Sequence, residues 1–251
     1  MLDWQVGQLR LTLFRAKPIE TVAPLWETLA GEKPERVDSQ PRANIIIEEG
    51  NTVLGYLTHT SNPIRIDWTL VPSQEQQKEA TFFPSIGPLL ETKEQFINIM
   101  SNWFSSYNVP EINRIALGSV SLIIKENRES AYKLLSELLS SFVKIDIENS
   151  TDLFYQINRP IQSTVESDLM INRLSKWGTT HSKAVGLFLG EKVDVIPETR
   201  DNIAVRLETD INTHQSNTNI FEKEKLIPLL RELNSYTDQI SKEGDKYYGS
   251  H

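Results

Sequence analysis

From residue 64 to residue 70, apolar and polar side chains alternate without a break: Ile64, Ile66, Trp68 and Leu70 against Arg65, Asp67 and Thr69. Successive side chains of a strand point to opposite sides of the pleat, so this segment can bury only one face. The same period recurs at Leu9, Leu11 and Leu13. It returns at Ile203, Val205, Leu207 and Ile211, set against Arg206, Glu208 and Asp210. The alternation predicts sheet with one buried and one polar face, and the helical segments between have to supply the cover.

Those helical segments follow the strands in a repeated order. After a first strand over residues 4–14, Val22, Leu25, Trp26 and Leu29 form one side of a short helix that Gly31 stops, with Pro24 in its first turn. A polar linker over 32–41 leads to strands at 43–49 and 52–58. Gly50-Asn51 between them reads as a two-residue hairpin turn, and the neighbouring Glu48-Glu49 as its solvated end. Beyond the strand at 64–70 and a Gln- and Pro-rich loop, Thr92 and Gln95 make a capping-box pattern. The helix behind it buries Phe96, Ile99, Met100, Trp103 and Tyr107. The second half repeats this plan: a strand over 112–124, a helix capped by Asn127, strands at 153–158, 169–177, 184–189 and 202–212, and a long C-terminal helix that ends before Gly244. The expected fold is α+β in two similar halves, residues 1–110 and 111–251. Each is an antiparallel sheet with helices packed on one face, in the order strand–helix–strands–helix, as a structural duplication would produce.

Composition narrows the chemistry. The chain has no cysteine, which excludes disulfides, zinc–thiolate sites, iron–sulfur clusters and a cysteine nucleophile. Its net charge of −8 is spread over both halves, so whole-molecule electrostatics do not favour nucleic acid or an anionic membrane. No run approaches the length of a membrane span, and the opening residues lack the basic and apolar regions of a targeting segment. The expected location is the cytoplasm.

Candidate catalytic groups are sparse. Of the four histidines, His59, His181, His214 and His251, none stands at metal-site spacing from another ligand, and His59 reads as part of a surface turn. No glycine-rich phosphate loop or nucleophile elbow is present, and no cofactor or metal is expected. Glu208 and Asp210, two apart on a strand, share a face and could hold a divalent cation for hydrolysis. Arg206 on that same face points instead to a solvated surface with a cross-strand ion pair.

Two stretches carry binding expectations. Residues 159–192 interleave basic and aromatic side chains, and Arg159, Arg173, Lys176 and Trp177 would form a nucleic-acid surface if they shared one groove. Phe82, Phe83, Ile86 and Leu89 lie in an apolar loop that either folds back on the core or presents a patch to a protein partner.

The strand Gly7-Gln-Leu-Arg-Leu, the block Ile64-Arg-Ile-Asp-Trp68, Phe83-Pro-Ser-Ile86 leading to Glu94-Gln-Phe96, Ile112-Asn-Arg-Ile115 and Leu207-Glu-Thr-Asp-Ile211 together resemble a sporadically distributed bacterial family of uncharacterised proteins of about this size. The resemblance implies a duplicated α+β fold, a patchy distribution typical of mobile or defence-associated genes, and no established enzyme activity. The leading expectation is a non-enzymatic adaptor or regulatory accessory protein that docks on another protein, in the setting of a bacterial antiviral operon of the CRISPR type. The alternative is a nucleic-acid-binding module built on residues 159–192. A metal-dependent hydrolase on Glu208 and Asp210 is the third reading.

Overall fold

The computed structural model describes residues 2–80, 82–140, 143–182 and 202–246. Its first part comprises β1 (Gln5–Arg15), α1 (Trp26–Ala30), β2 (Arg36–Gln40), β3 (Ile45–Asn51), β4 (Tyr56–Asn62), β5 (Arg65–Val71), α2 (Gln74–Glu79) and α3 (Leu89–Ser106). The second comprises β6 (Ile112–Lys125), α4 (Arg128–Leu139), β7 (Phe154–Asn158), β8 (Ile161–Gln162), β9 (Met170–Ser182), β10 (Asn202–Thr213) and α5 (Lys223–Glu243). The fold is α+β. No helix among the described residues is long and apolar enough to cross a membrane.

Among the described residues, the strands join one ten-stranded sheet in the order β2-β3-β4-β5-β1-β6-β10-β9-β7, with β8 beside β9. Every pairing is antiparallel. The sheets expected for the two halves are therefore continuous through β1 and β6, whose registers place Leu9, Leu11 and Leu13 opposite Ser119, Leu117 and Ile115. Across β5 the same leucines face Leu70, Trp68 and Ile66. The apolar residues among these, with Val205, Leu207 and Ile211 of β10, belong to one apolar core. α3 contributes Phe96, Met100 and Trp103 to it, α4 contributes Leu135 and Leu139, and α5 contributes Leu229, Leu230 and Leu233. α3 packs on β1, α5 on β6 and β10, and α4 on β6, β9 and β10.

Trp4, Trp26, Trp68 and Trp103 are all in the core, as their positions on apolar faces predict. Trp68 is the hub. Trp103 meets it edge-on at 5.4 Å, Trp26 lies at 6.5 Å, and the His59 ring lies at 4.5 Å.

Several local expectations are corrected. β3 runs through Gly50 and Asn51, and the chain turns over residues 52–55, where Gly55 O accepts from Thr52 N at 2.8 Å and from Thr52 Oγ1 at 2.9 Å. Gly50 serves packing instead: a Cβ there would lie 2.9 Å from Trp26 Cζ2. α3 starts one turn before the expected capping box, behind Pro88, and Thr92 is a buried residue of its first turns. α1 starts at Trp26, so Pro24 precedes it, while Gly31 closes it in the left-handed region at φ 73° as the sequence predicts. The polar linker contains β2, and the Gln- and Pro-rich loop contains α2, opened by a Ser73–Gln76 capping box. Asn127 caps α4 with Ser130 as its reciprocal partner. The strand expected at 184–189 lies outside the described residues.

Candidate functional site

The candidate site lies on the sheet face opposite the core, at the junction of β1, β6, β10 and β9. Cross-strand register sets side chains there in rows. One row runs Arg10, Gly118, Asp210, Leu174. Gly118 has no side chain, so the Arg10 guanidinium extends over it, 3.5 Å from where a Cβ would sit, and reaches Asp210 Oδ2 with Nη2 at 3.5 Å. The next row runs Gln8, Val120, Glu208, Lys176. Glu208 takes two cations, Arg206 Nη2 at 2.6 Å and Lys176 Nζ at 3.5 Å. A third row runs Leu122, Arg206, Gly178, Phe154 and ends on the edge strand β7.

To the other side of Asp210 the face is an amide ladder. Asn212 Nδ2 donates to Asp210 Oδ1, Asn172 Nδ2 to Asn212 Oδ1 and Asn158 Nδ2 to Asn172 Oδ1, each at 3.0 Å. On β1 and β5, Thr12 Oγ1 and Arg65 Nη2 both donate to Asp67 Oδ1 at 2.6 Å. The Phe14 ring lies under Arg114 and Arg65, at 4.4 and 5.6 Å. Every acid of this central face thus has a basic or amide partner, and the surface presents both signs of charge in close alternation.

The rows enclose a groove of about 360 Å³ lined by Gln8, Arg10, Lys176, Arg206, Glu208 and Asp210. A second depression of about 310 Å³ shares Lys176, Arg206 and Glu208 and continues to Leu153, Phe154 and Gly178. Chemically, the groove offers guanidinium, ammonium and carboxylate groups for hydrogen bonds and ion pairs. Its two carboxylates, Glu208 and Asp210, are held by cations. Among the described residues, no three His, Asp or Glu side chains come together as a metal-ligand set.

The nucleic-acid candidates do not converge. Lys176 faces the groove, while Arg173 and Trp177, odd-numbered on the same strand, point into the core, with 7% and 1% exposure. Arg173 packs over the Tyr236 ring at 5.4 Å, and Trp177 meets Trp4 edge-on at 6.2 Å. Arg159 is engaged by Asp245 through Nε at 3.1 Å and Nη2 at 3.0 Å. Asp245 also accepts from Tyr155 Oη at 2.5 Å, and burial together with this bond pushes the Tyr155 hydroxyl up to about 12. This cluster ties the end of α5 to β7. Residues 183–192 of the basic–aromatic stretch, and His251, lie outside the described residues.

The apolar loop folds back. Ile86 N donates to Val6 O at 2.8 Å, Val6 N to Gly87 O at 2.9 Å and Leu89 N to Trp4 O at 2.8 Å, so this segment extends the sheet beside the start of β1. Leu89 joins the core, Ile86 packs against it, and Phe82 and Phe83 remain half-buried beside the exposed Ile124.

Two buried groups read as surface residues in the sequence. Glu48 and His59 are cross-strand partners on the core face, 2% and 0% exposed. Glu48 Oε2 accepts from Leu25 N at 2.7 Å, Trp26 N at 3.0 Å and lies 2.9 Å from His59 Nδ1, so the carboxylate caps α1 from a neighbouring strand. Burial pushes the Glu48 carboxyl up, but the bonds from His59, Leu25 and Trp26 outweigh it, and the carboxyl is held below its ordinary range. Only their place in the alternation, even-numbered Glu48 with Gly50 and odd-numbered His59 with Leu57, could have located them.

No family model matches the chain, and no curated protein matches it.

Proposed function

We propose that the protein is a non-enzymatic binding protein that engages a protein partner through the polar face of its sheet. The observation that carries this reading is the groove at Arg10, Lys176, Arg206, Glu208 and Asp210, where cations and carboxylates alternate within one surface. Polyanionic nucleic acid is attracted by an excess of one sign, whereas a protein surface of mixed charge finds complementary partners for both signs and is selected by their pattern. The overall charge of −8 favours the same choice. We infer further that α3, α4 and α5 share the other side of the sheet.

A duplication of residues 1–110 and 111–251 would account for the topology. β1 pairs with β5, the last strand of its half, as β6 pairs with β10, and β1 and β6 join the two. An accessory role in a bacterial antiviral operon belongs to the same proposal and rests on the family resemblance. The nucleic-acid reading on Arg159, Arg173, Lys176 and Trp177 needs one exposed groove, and it loses support from the burial of Arg173 and Trp177.

The test is affinity capture of the tagged protein from its native host at moderate salt, with and without nuclease. A stoichiometric protein partner that survives nuclease is expected. Recovery of nucleic acid, with loss of every protein after nuclease, would contradict the proposal.

A further inference from the structure

One end of the groove carries an aromatic side chain that the fold does not use. Phe154 is 67% exposed, although its strand neighbour Tyr155 packs against the core. Among the described residues, no β9 side chain stands between its ring and the groove in this row, because the row neighbour is Gly178. That position is closed to larger residues, since a Cβ there would lie 2.8 Å from Leu153 O. Lys176 and Arg206 share the single carboxylate of Glu208, while Arg10 and Asp210 compensate each other, so the groove itself sets three cations against two carboxylates, a local charge of about +1 on a chain whose total is −8. Asp152 adds a carboxylate to the depression that holds Phe154, but it precedes Phe154 on the side away from Lys176, which pairs with Gln156.

This surplus attracts an anionic group and also limits it. A phosphodiester strand would bring successive charges against Glu208 and Asp210, whereas one carboxylate between Lys176 and Arg206 meets only the excess. The Lys176 row and the Gly178 row are two residues apart along the strand, or about 6.7 Å. An extended peptide lying along β9 has the same spacing between alternate side chains. An acidic residue over Lys176 thus places the side chain two positions away over Gly178, against the Phe154 ring.

Resting on the protein-partner reading above, we propose that the groove receives an extended segment of that partner. Within it, Asp or Glu and an aromatic or large apolar residue stand two positions apart. The carboxylate takes the Lys176 and Arg206 cations, and the apolar side chain fills the space over Gly178 beside Phe154.

Random peptides displayed on phage and selected against the full chain test this directly. Selected peptides are expected to be enriched in an acidic and an aromatic residue at that spacing. They should bind the Lys176→Glu/Arg206→Glu variant at least about tenfold more weakly, because like charges then meet in the groove. Phe154→Ser, a change at an exposed edge position, is expected to weaken the same peptides while leaving the fold intact. Peptides without the acidic residue, or peptides bound equally by both variants, would overturn the inference, as would tighter binding of a single-stranded oligothymidine in the same assay. If native-host capture yields a nuclease-resistant partner that both variants retain, the groove inference falls and the protein-partner reading stands. If capture yields only nucleic acid, both fall.

Discussion

Lys93 crosses from α3 to α5 inside the protein, and removing either end of that contact should have very different consequences. Its side chain is 1% exposed, and Nζ donates to Asp238 Oδ1 at 2.5 Å and to Asn234 O at 3.2 Å. Breaking a buried ion pair by removing one partner costs about 3–5 kcal/mol, because an uncompensated charge is left behind. Asp238 is 27% exposed, so water can enter the space left by Asp238→Ala, and the cost should fall to about 2–3 kcal/mol. Lys93→Met removes the charge and keeps the length of the side chain, and it should change stability by no more than about 1 kcal/mol. The double variant should resemble Lys93→Met, giving a coupling as large as the Asp238→Ala cost, about 2–3 kcal/mol.

Urea unfolding at neutral pH measures all four proteins, and a pH series adds a second readout. Burial lowers the Lys93 pKa, with Asp238 opposing. Between the folded pKa and the ordinary lysine value of about 10.4 the unfolded chain binds more protons, so stability should rise with pH through that window. The rise should vanish in Lys93→Met. Equal damage from Lys93→Met and Asp238→Ala would refute the reasoning, as would losses below about 0.5 kcal/mol in both.

Other consequences are local. Glu48→Gln should destabilise the protein at neutral pH by about 1–3 kcal/mol, through the weakened cap of α1 and the His59 contact. Because the folded Glu48 carboxyl titrates below its unfolded value, its stabilisation is present above the unfolded pKa and is lost as pH falls through the folded one. The acid limb of a pH-dependent melting series should therefore flatten in Glu48→Gln. Gly244 has φ 65° and ψ −148°, and a Cβ would sit 2.2 Å from Leu138 O. Gly244→Ala should lower stability by at least about 2 kcal/mol, visible as a fall in melting temperature. Arg10→Ala, in contrast, removes one arm of a partly exposed ion pair, and thermal melting should register a change of no more than about 0.5 kcal/mol.

The strands that alternate cleanly were legible, and β5 and β10 lie close to where the pattern puts them. Where a core face carries polar residues, the alternation misleads. β9 directs Arg173, Ser175 and Trp177 inward, and without knowledge of Tyr236, Asp245 and Trp4 this reads as an exposed basic–aromatic surface. Glu48 and His59 fail for the same reason. Their partners include the N–H groups of α1, some twenty residues away in sequence, which no local pattern announces. Gly50 looks like a turn residue because the need for it arises from Trp26, an indole brought close only by the fold. At the groove, the alternation that puts Arg206, Glu208 and Asp210 on one face with a cross-strand ion pair was legible, but not that the cross-strand cations are Lys176 and Arg10. Arg10 and Phe154 give no local signal of that placement, since Arg10 comes to β10 only across β6, and Phe154 only across β9. For the face that Arg10 takes, the signal is a basic residue standing alternately with leucines on one strand.

Because the chain has no cysteine, a single thiol can be placed at will. Gln8→Cys puts one in the groove, and Glu137→Cys puts one on the exposed side of α4. The decisive measurement is binding of the captured partner to each variant before and after attachment of a bulky maleimide. If the polar sheet face is the docking surface, the label at position 8 abolishes binding and the label at position 137 leaves it unchanged. Undiminished binding with the groove blocked would contradict the account.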